Sequence, residues 1–487
     1  MKTKFTCLIA GLFFLLSYAN NITVSNISLE NLNSPNWVQV EFDLSWENSW
    51  RLSAGPSNWD AAWVFIKYRV NSGEWEHAQL SQSNAVEASG STIVVSSDGV
   101  GAFIYRNADG SGNVNFQDLR LRWDYGAIDP NDIIDVQVFA IEMVNVPQGA
   151  FSVGGTSGDE VNKFYSGGLA TTSIPFEITS ENTITVSDTP NNLYYSSTSS
   201  GAGDQSGPIP NDFPKGFDTF YVMKYEVSQS QWVDFFNTLT DTQKASNDVT
   251  GISGKNSDAE VARNGISWSD GSTNASTTFP DVALNYVATK MTSAYLDWAG
   301  LRHMTELEFE KACRGPIAPK QGEFAWGSAS IAIQDYTLIN DGQANELVSN
   351  PQQNTGNTIY SETNGTISGP IRVGIFAASA ITKNREETGG SYYGIMELSG
   401  NLYERVITIG LPEGRNFSGL EGDGLLATSG EANETNWPLD NGSGLGYKGA
   451  SWFNGSAFLR VSDRFDAATV ISSGNNRLGF RGARTAE

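Results

Sequence analysis

Apolar and polar residues alternate with period two along Val38-Gln39-Val40-Glu41-Phe42-Asp43-Leu44 and again along Leu119-Arg120-Leu121-Arg122-Trp123. That spacing predicts strands with one face buried and the other in water. Ala62-Trp63-Val64-Phe65-Ile66-Lys67-Tyr68 is more continuously apolar, as for a strand covered on both faces. Turn clusters such as Asn71-Ser72-Gly73 and Asn107-Ala108-Asp109-Gly110 separate these runs. Short strands without helices predict a β-sandwich over residues 20–141. Its last strand, Ile134 to Val144, leads directly into a second domain, residues 142–487, with little free linker between the two.

The period then changes to that of helices. Ser228 and Gln231 form a capping-box pair ahead of Trp232, Phe235, Phe236 and Leu239, which share one face. Met291, Ala294, Tyr295 and Trp298 share another face, and Gly300 stands where a helix-ending glycine belongs. Thr305 and Glu308 form a second capping box, before Phe309, Ala312 and Cys313. Long Gly/Asn/Ser-rich loops, notably 187–214 and 413–446, lie between and after these helices. Loops of that length in a compact domain are often functional or stapled by a metal.

At the N-terminus, Lys2 and Lys4 precede an apolar run from Cys7 to Leu16 and a small-residue segment ending in Ala19. The run is too short to span a bilayer and reads as a secretory signal, residues 1–19, cleaved after Ala19. The expectation is a secreted, extracellular or cell-surface protein without a membrane span. Removing the signal removes Cys7 and leaves Cys313 alone, so no internal disulfide can form. Export without disulfides points to a bacterial cell surface more than to a eukaryotic secretory route. A formal net charge of −24 repels phosphate backbones and argues against a nucleic-acid partner. Excess carboxylates suit Ca²⁺. Aromatic residues at 11% are enough to build cores, which sets the chain apart from a disordered acidic one.

Several segments, in order, resemble those of the formylglycine-generating enzyme (sulfatase-modifying factor) family. Glu142 to Phe151 is similar to the family's opening strand, and Lys224-Tyr225-Glu226-Val227-Ser228 to its "KYEVT" entry to the first helix. Asp297-Trp298-Ala299-Gly300-Leu301-Arg302 with Thr305-Glu306-Leu307-Glu308-Phe309-Glu310 resembles "DWAGLRLPTEAEWE", and Phe324-Ala325-Trp326-Gly327 resembles "YPWG". Tyr393 to Glu404 resembles "YGLYDMAGNVWEW", Gly449-Ala450-Ser451-Trp452 resembles "GGSW", and Gly479-Phe480-Arg481 resembles the closing "GFR". The resemblance implies an α+β chain: an N-terminal all-β sandwich followed by a loop-rich domain related to the C-type lectin fold.

It also implies an oxidase that holds copper with two cysteines shortly after the "GGSW" tryptophan. Those positions are Asn454 and Leu459 here. Soft thiolates are what hold Cu(I), so no copper is expected and no catalytic residue is assigned. Iron-dependent relatives use a histidine cluster, whereas this chain has only His77 and His303. The same two histidines argue against a Ser-His-Asp triad, and the glycines at 201 and 203 follow no phosphate-cradling signature.

What the resemblance still implies is a structural Ca²⁺ ion, held at positions corresponding to Glu397, Gly400, Leu402 and Glu404. A second family Ca²⁺ site corresponds to Asn340. The lost cysteines would leave a surface formed by Ser451, Trp452, Asn454, Phe458 and Arg460, with Leu459 either beside it or filling the core. Its aromatic and polar mixture suits a protein, peptide or glycan ligand. Trp452 to Arg484 also resembles the displayed C-terminal region of retroelement-diversified lectin-fold proteins; pairing of Arg460 and Arg464 with carboxylates inside the fold is the preferred reading there. The expected function is therefore a non-catalytic binding protein or a structural one in a surface assembly. The alternative is an oxidoreductase-type enzyme of the family with a non-standard site.

Overall fold

The computed structural model describes residues 22–486 apart from 34–35, 127, 130, 161, 169–173, 197–200, 270–271 and 439. The signal expected at residues 1–19 lies outside the described residues. The N-terminal region comprises β1 (Thr23–Asn33), β2 (Trp37–Arg51), β3 (Asp60–Val70), β4 (Glu76–His77), β5 (Ser91–Val95), β6 (Ala102–Arg106), β7 (Gly110–Trp123) and β8 (Ile134–Val146). Strands β1-β2-β7 form one sheet. The other is larger and runs beyond the region. Its order is β10-β14-β9-β8-β3-β6-β5, where β9 is Phe220–Met223, β10 is Arg302–His303 and β14 is Gly482–Thr485; β4 pairs with β3.

β8 is the hinge of this arrangement. It pairs antiparallel with β3 through Ile134 to Val144 and with β9 through Met143 to Val146. Hydrogen bonding therefore continues without a break across residue 142. The apolar run in β3 shows why. Ala62, Val64 and Ile66 point into the sandwich core against Val40, Phe42, Leu44, Leu119 and Leu121. Ala61, Trp63 and Phe65 point the other way, into a core shared with Trp232, Phe235, Tyr295 and Trp298. Only an apolar residue at every position satisfies both layers, and each large side chain so buried contributes about 1.5–3 kcal/mol.

The helices of that second core are α1 (Gln229–Asn237), α2 (Asp241–Ser246), α3 (Thr289–Trp298) and α4 (Glu306–Arg314). Both expected capping boxes are made, Ser228 with Gln231 and Thr305 with Glu308. A third, Thr240 with Gln243, opens α2; that helix is too short to show an apolar stripe. Gly300 ends α3 at φ +67, and a side chain there would meet Val100 Cγ1 at 2.4 Å. Trp63 closes the seam by donating Nε1–H to the Ala299 carbonyl at 2.8 Å while the Arg484 guanidinium stacks on its ring. Beyond α4, β11 (Tyr403–Ile407) pairs antiparallel with β12 (Leu445–Lys448) and parallel with β13 (Leu478–Gly479). The whole is α+β. Among the described residues no helix is long and apolar enough to cross a membrane.

Candidate functional site

The loop after β12 turns sharply at Gly449 and Ala450, both at positive φ. This turn delivers Ser451, Trp452 and Asn454 to one place. Ser451 is fully buried, and its hydroxyl bonds Asn454 Oδ1 at 2.5 Å. Asn454 is half-buried, and its carbonyl accepts from Ser361 N–H at 3.1 Å. Among the described residues its Nδ2 has no hydrogen-bond partner, so the amide is anchored through its oxygen and leaves its donors free.

The neighbours divide between core and surface. Trp452 is turned inward, 6% exposed, with Nε1–H donating to the Asn476 carbonyl at 2.8 Å. Its ring packs with Met396, Leu402 and Ile359 and presents no face to a ligand. Leu459 is wholly buried among Phe324, Trp326, Tyr360, Tyr403 and Tyr447. Its side chain is thus part of the core. Phe458 is half-buried, edge-on to the exposed Phe465 at 5.3 Å. Phe453, 57% exposed, lies beside Trp452. Arg460 pairs with Glu160 at 2.7 Å. Arg464 pairs with Glu306 at 2.8 Å and is sandwiched between Phe164 and Tyr195, each 4.1 Å away.

Of the five residues expected at the surface, Asn454 and Phe458 therefore offer atoms to it. Ser451 supports Asn454 from below, Trp452 belongs to the core, and Arg460 is held by a carboxylate. Phe453 and Phe465 are exposed members that periodicity does not mark, because they lie in irregular chain.

Among the described residues no thiol reaches this surface. Cys313 is buried in α4 among Val144, Phe220 and Phe309, and burial pushes its thiol well above the ordinary range. That holds it as an unreactive thiol. The two histidines are apart as well. His303 is buried, hydrogen-bonded through Nε2 to Ser293 Oγ at 3.0 Å. Burial, with Arg405 and Arg302 nearby, pushes its pKa down to about 3. His77 bonds the Val100 carbonyl through Nε2.

The residues expected to hold Ca²⁺ are arranged around a buried charge cluster. Positive φ at Glu397, Gly400 and Asn401 folds that loop back on itself. Glu397 accepts Gly374 N–H on Oε1 at 2.9 Å, while its Oε2 is buried and unpartnered. Glu404 is fully buried and ion-paired through Oε1 with Arg481; its Oε2 is also unpartnered. Burial pushes the Glu397 carboxyl up to about 7 and raises that of Glu404. Two buried carboxylate oxygens without hydrogen-bond partners fit the hard-oxygen chemistry of a cation site. Arg481 already supplies part of the charge. Glu226, absent from the expected ligand set, belongs to the cluster too: it accepts Leu402 N–H at 2.9 Å and the Asn401 side-chain amide. Its burial, with Glu404 beside it, raises its pKa well above the ordinary value. Asn340 stands elsewhere, exposed on the turn after Leu338–Ile339, its side chain bonded to the Asn345 carbonyl at 3.3 Å.

A different acidic group converges more closely. Asp297, Asp423 and Glu434 carry oxygens that all lie within 4.8 Å of one another. Asp297 is buried at the end of α3 and accepts the backbone N–H groups of Asp423 at 3.1 Å and Asn433 at 3.0 Å, stapling the 413–446 loop to the helix. Only the fold brings these residues together.

No curated protein matches the chain. Residues 192–486 match the family described as the sulfatase-modifying factor enzyme 1-like domain. That match spans more than half of the chain, and with the motif order and the fold it makes this protein a member of the formylglycine-generating-enzyme-type sulfatase-modifying factor family.

Proposed function

We propose that this chain is an exported, non-catalytic binding protein that uses the family's former active-site surface, around Asn454, Phe453 and Phe458, to hold a peptide or glycan. The observation that carries the reading is the fate of the two copper positions. Leu459 is buried in an aromatic core, and Asn454 keeps its amide donors free beside an exposed phenylalanine. A buried leucine cannot bind a soft metal, whereas a free carboxamide beside an aromatic face supplies directional donors and a stacking surface. The N-terminal signal supports export, and the net charge of −24 supports a partner other than nucleic acid.

A structural Ca²⁺ ion is part of this proposal. Glu397 and Glu404 would hold it through the carboxylate oxygens that lack partners, with the Gly400 and Leu402 carbonyls completing a hard-oxygen set. Its role would be to order the loop beneath Trp452, whose backbone N–H donates to the Asn401 carbonyl at 2.8 Å.

A glycan and peptide array probed with wild type and Asn454 variants tests the binding reading. Retained signals that the variants abolish support it. A wild type that binds nothing, or variants that bind unchanged, refutes it.

A further inference from the structure

A cleft of about 780 Å³ shares no residue with the Asn454 surface. One wall comes from the N-terminal region, through Gln79, Asp98 and Val100. The other comes from the segments 211–220 and 418–425 and from the last strand, β14. Ligand sites favour such junctions.

Its charges are unbalanced. Two arginines line it, and both are committed. Arg302 forks onto Glu308 at 2.7 and 2.9 Å. Arg484 pairs with Asp98 and donates to the Gly300 carbonyl. Two lysines stand behind the wall, their ammonium groups bound to backbone carbonyls: Lys215 to Phe213 at 2.9 Å and Lys311 to Phe217 at 3.2 Å, and Lys215 also pairs with Glu181 at 3.9 Å. Lys67 lies behind Asp423, donating to the Gly424 carbonyl. Five further carboxylates line the cleft: Glu181, Asp212, Asp218, Glu421 and Asp423. Asp212, Asp218 and Asp423 are exposed.

Glu421 is held within the wall. Its Oε1 accepts from Arg302 at 3.2 Å and from Thr485 N–H at 2.8 Å. Its Oε2 is shut off from solvent and has no partner among the described residues. Beside it, Leu420 and Leu425 are 43% and 47% exposed. An apolar strip next to carboxylates matches the amphipathic shape of a lysine or arginine side chain, an aliphatic stem with a cationic head. Low-dielectric walls focus the negative field along the cleft.

We propose that this cleft binds a basic polypeptide segment. The stem of a lysine or arginine lies against Leu420 and Leu425, and its head is directed to the exposed carboxylates Asp423 and Asp212. The cleft's volume exceeds that of one side chain and leaves room for extended backbone along Gln79, Asn211 and Ser418.

The test is fluorescence anisotropy on the full mature chain with a labelled tetralysine peptide, its lysine-acetylated counterpart, and spermidine as competitor. The peptide should bind, and acetylation should weaken it by at least about tenfold. Asp212→Asn and Asp423→Asn should each weaken binding about tenfold. Both residues are exposed, and melting curves matching wild type show that the variants fold. Glu74→Gln, at an exposed acid outside the cleft, removes the same charge and should leave affinity unchanged. Absent peptide binding, equal binding of the acetylated peptide, or an equal loss in Glu74→Gln overturns the proposal. Spermidine displacing the peptide at equal charge concentration overturns the polypeptide as occupant.

Discussion

On the proposed function Asn454 has a structural role on one atom and a binding role on another, and two substitutions separate them. Its Oδ1 is the partner of the buried Ser451 hydroxyl. Its Nδ2 has no hydrogen-bond partner among the described residues. Asn454→Ala removes both and leaves the Ser451 hydroxyl, 0% exposed, without its acceptor. An unsatisfied buried polar group costs about 1–3 kcal/mol, so the alanine variant should lose stability by that amount. Its loss of binding alone would then prove nothing about contact. Asn454→Asp keeps an oxygen acceptor for Ser451 and abolishes the amide donors. It should stay within about 0.5 kcal/mol of wild type, as expected for a surface change without structural loss. If the amide meets the ligand, Asn454→Asp should nevertheless fail on the array. Urea denaturation of the three proteins gives stability, and array signals with a titration of the best hit give binding. Asn454→Asp that binds as wild type does, while Asn454→Ala is destabilised, would refute the ligand contact and leave Asn454 a purely structural anchor.

Three further outcomes are expected. Purified protein given Cu(I), oxygen and a Cys-type sulfatase peptide should yield no formylglycine by mass spectrometry; turnover that survives Cys313→Ser would refute the non-catalytic reading. Ca²⁺ should raise the melting temperature over that of chelator-treated, metal-free protein by favouring the folded loop, and Glu397→Gln should remove most of the gain. That variant is cleaner than Glu404→Ala, which would also strip Arg481 of its buried partner; identical melting with and without Ca²⁺ would count against the site. His303 is held neutral in the fold, pushed down to about 3, whereas an unfolded histidine protonates near its ordinary value of about 6.5. Unfolded chain therefore binds the extra proton, and this contribution is intact above about pH 6.5 and lost as pH falls toward 3, by about 2 kcal/mol at pH 5. His303→Gln should flatten the stability profile in that window, and an unchanged slope would show that other groups govern it.

Short-range periodicity and residue type account for the local structure. The alternation in β2 and β7, the capping boxes at Ser228 and Thr305 and the glycine ending α3 are each set by neighbours a few positions away. The motif order carried the family. What depends on distant segments meeting is set only in the folded chain. The sheet that joins β3, β8 and β9 is one, because β8 offers a hydrogen-bonding edge on each side, and nothing in a local pattern says which strand will fill it. Trp452 and Leu459 carry no sign of facing inward, since irregular chain has no period from which to read a face; packing against Tyr360, Tyr403 and Leu402 settles it. Glu226 joins Glu397 and Glu404, and Asp297 joins Asp423 and Glu434, across separations that charge pattern cannot bridge. Burial of those carboxylates, more than their number, makes them candidates for cation chemistry, and burial is a property of the folded chain alone.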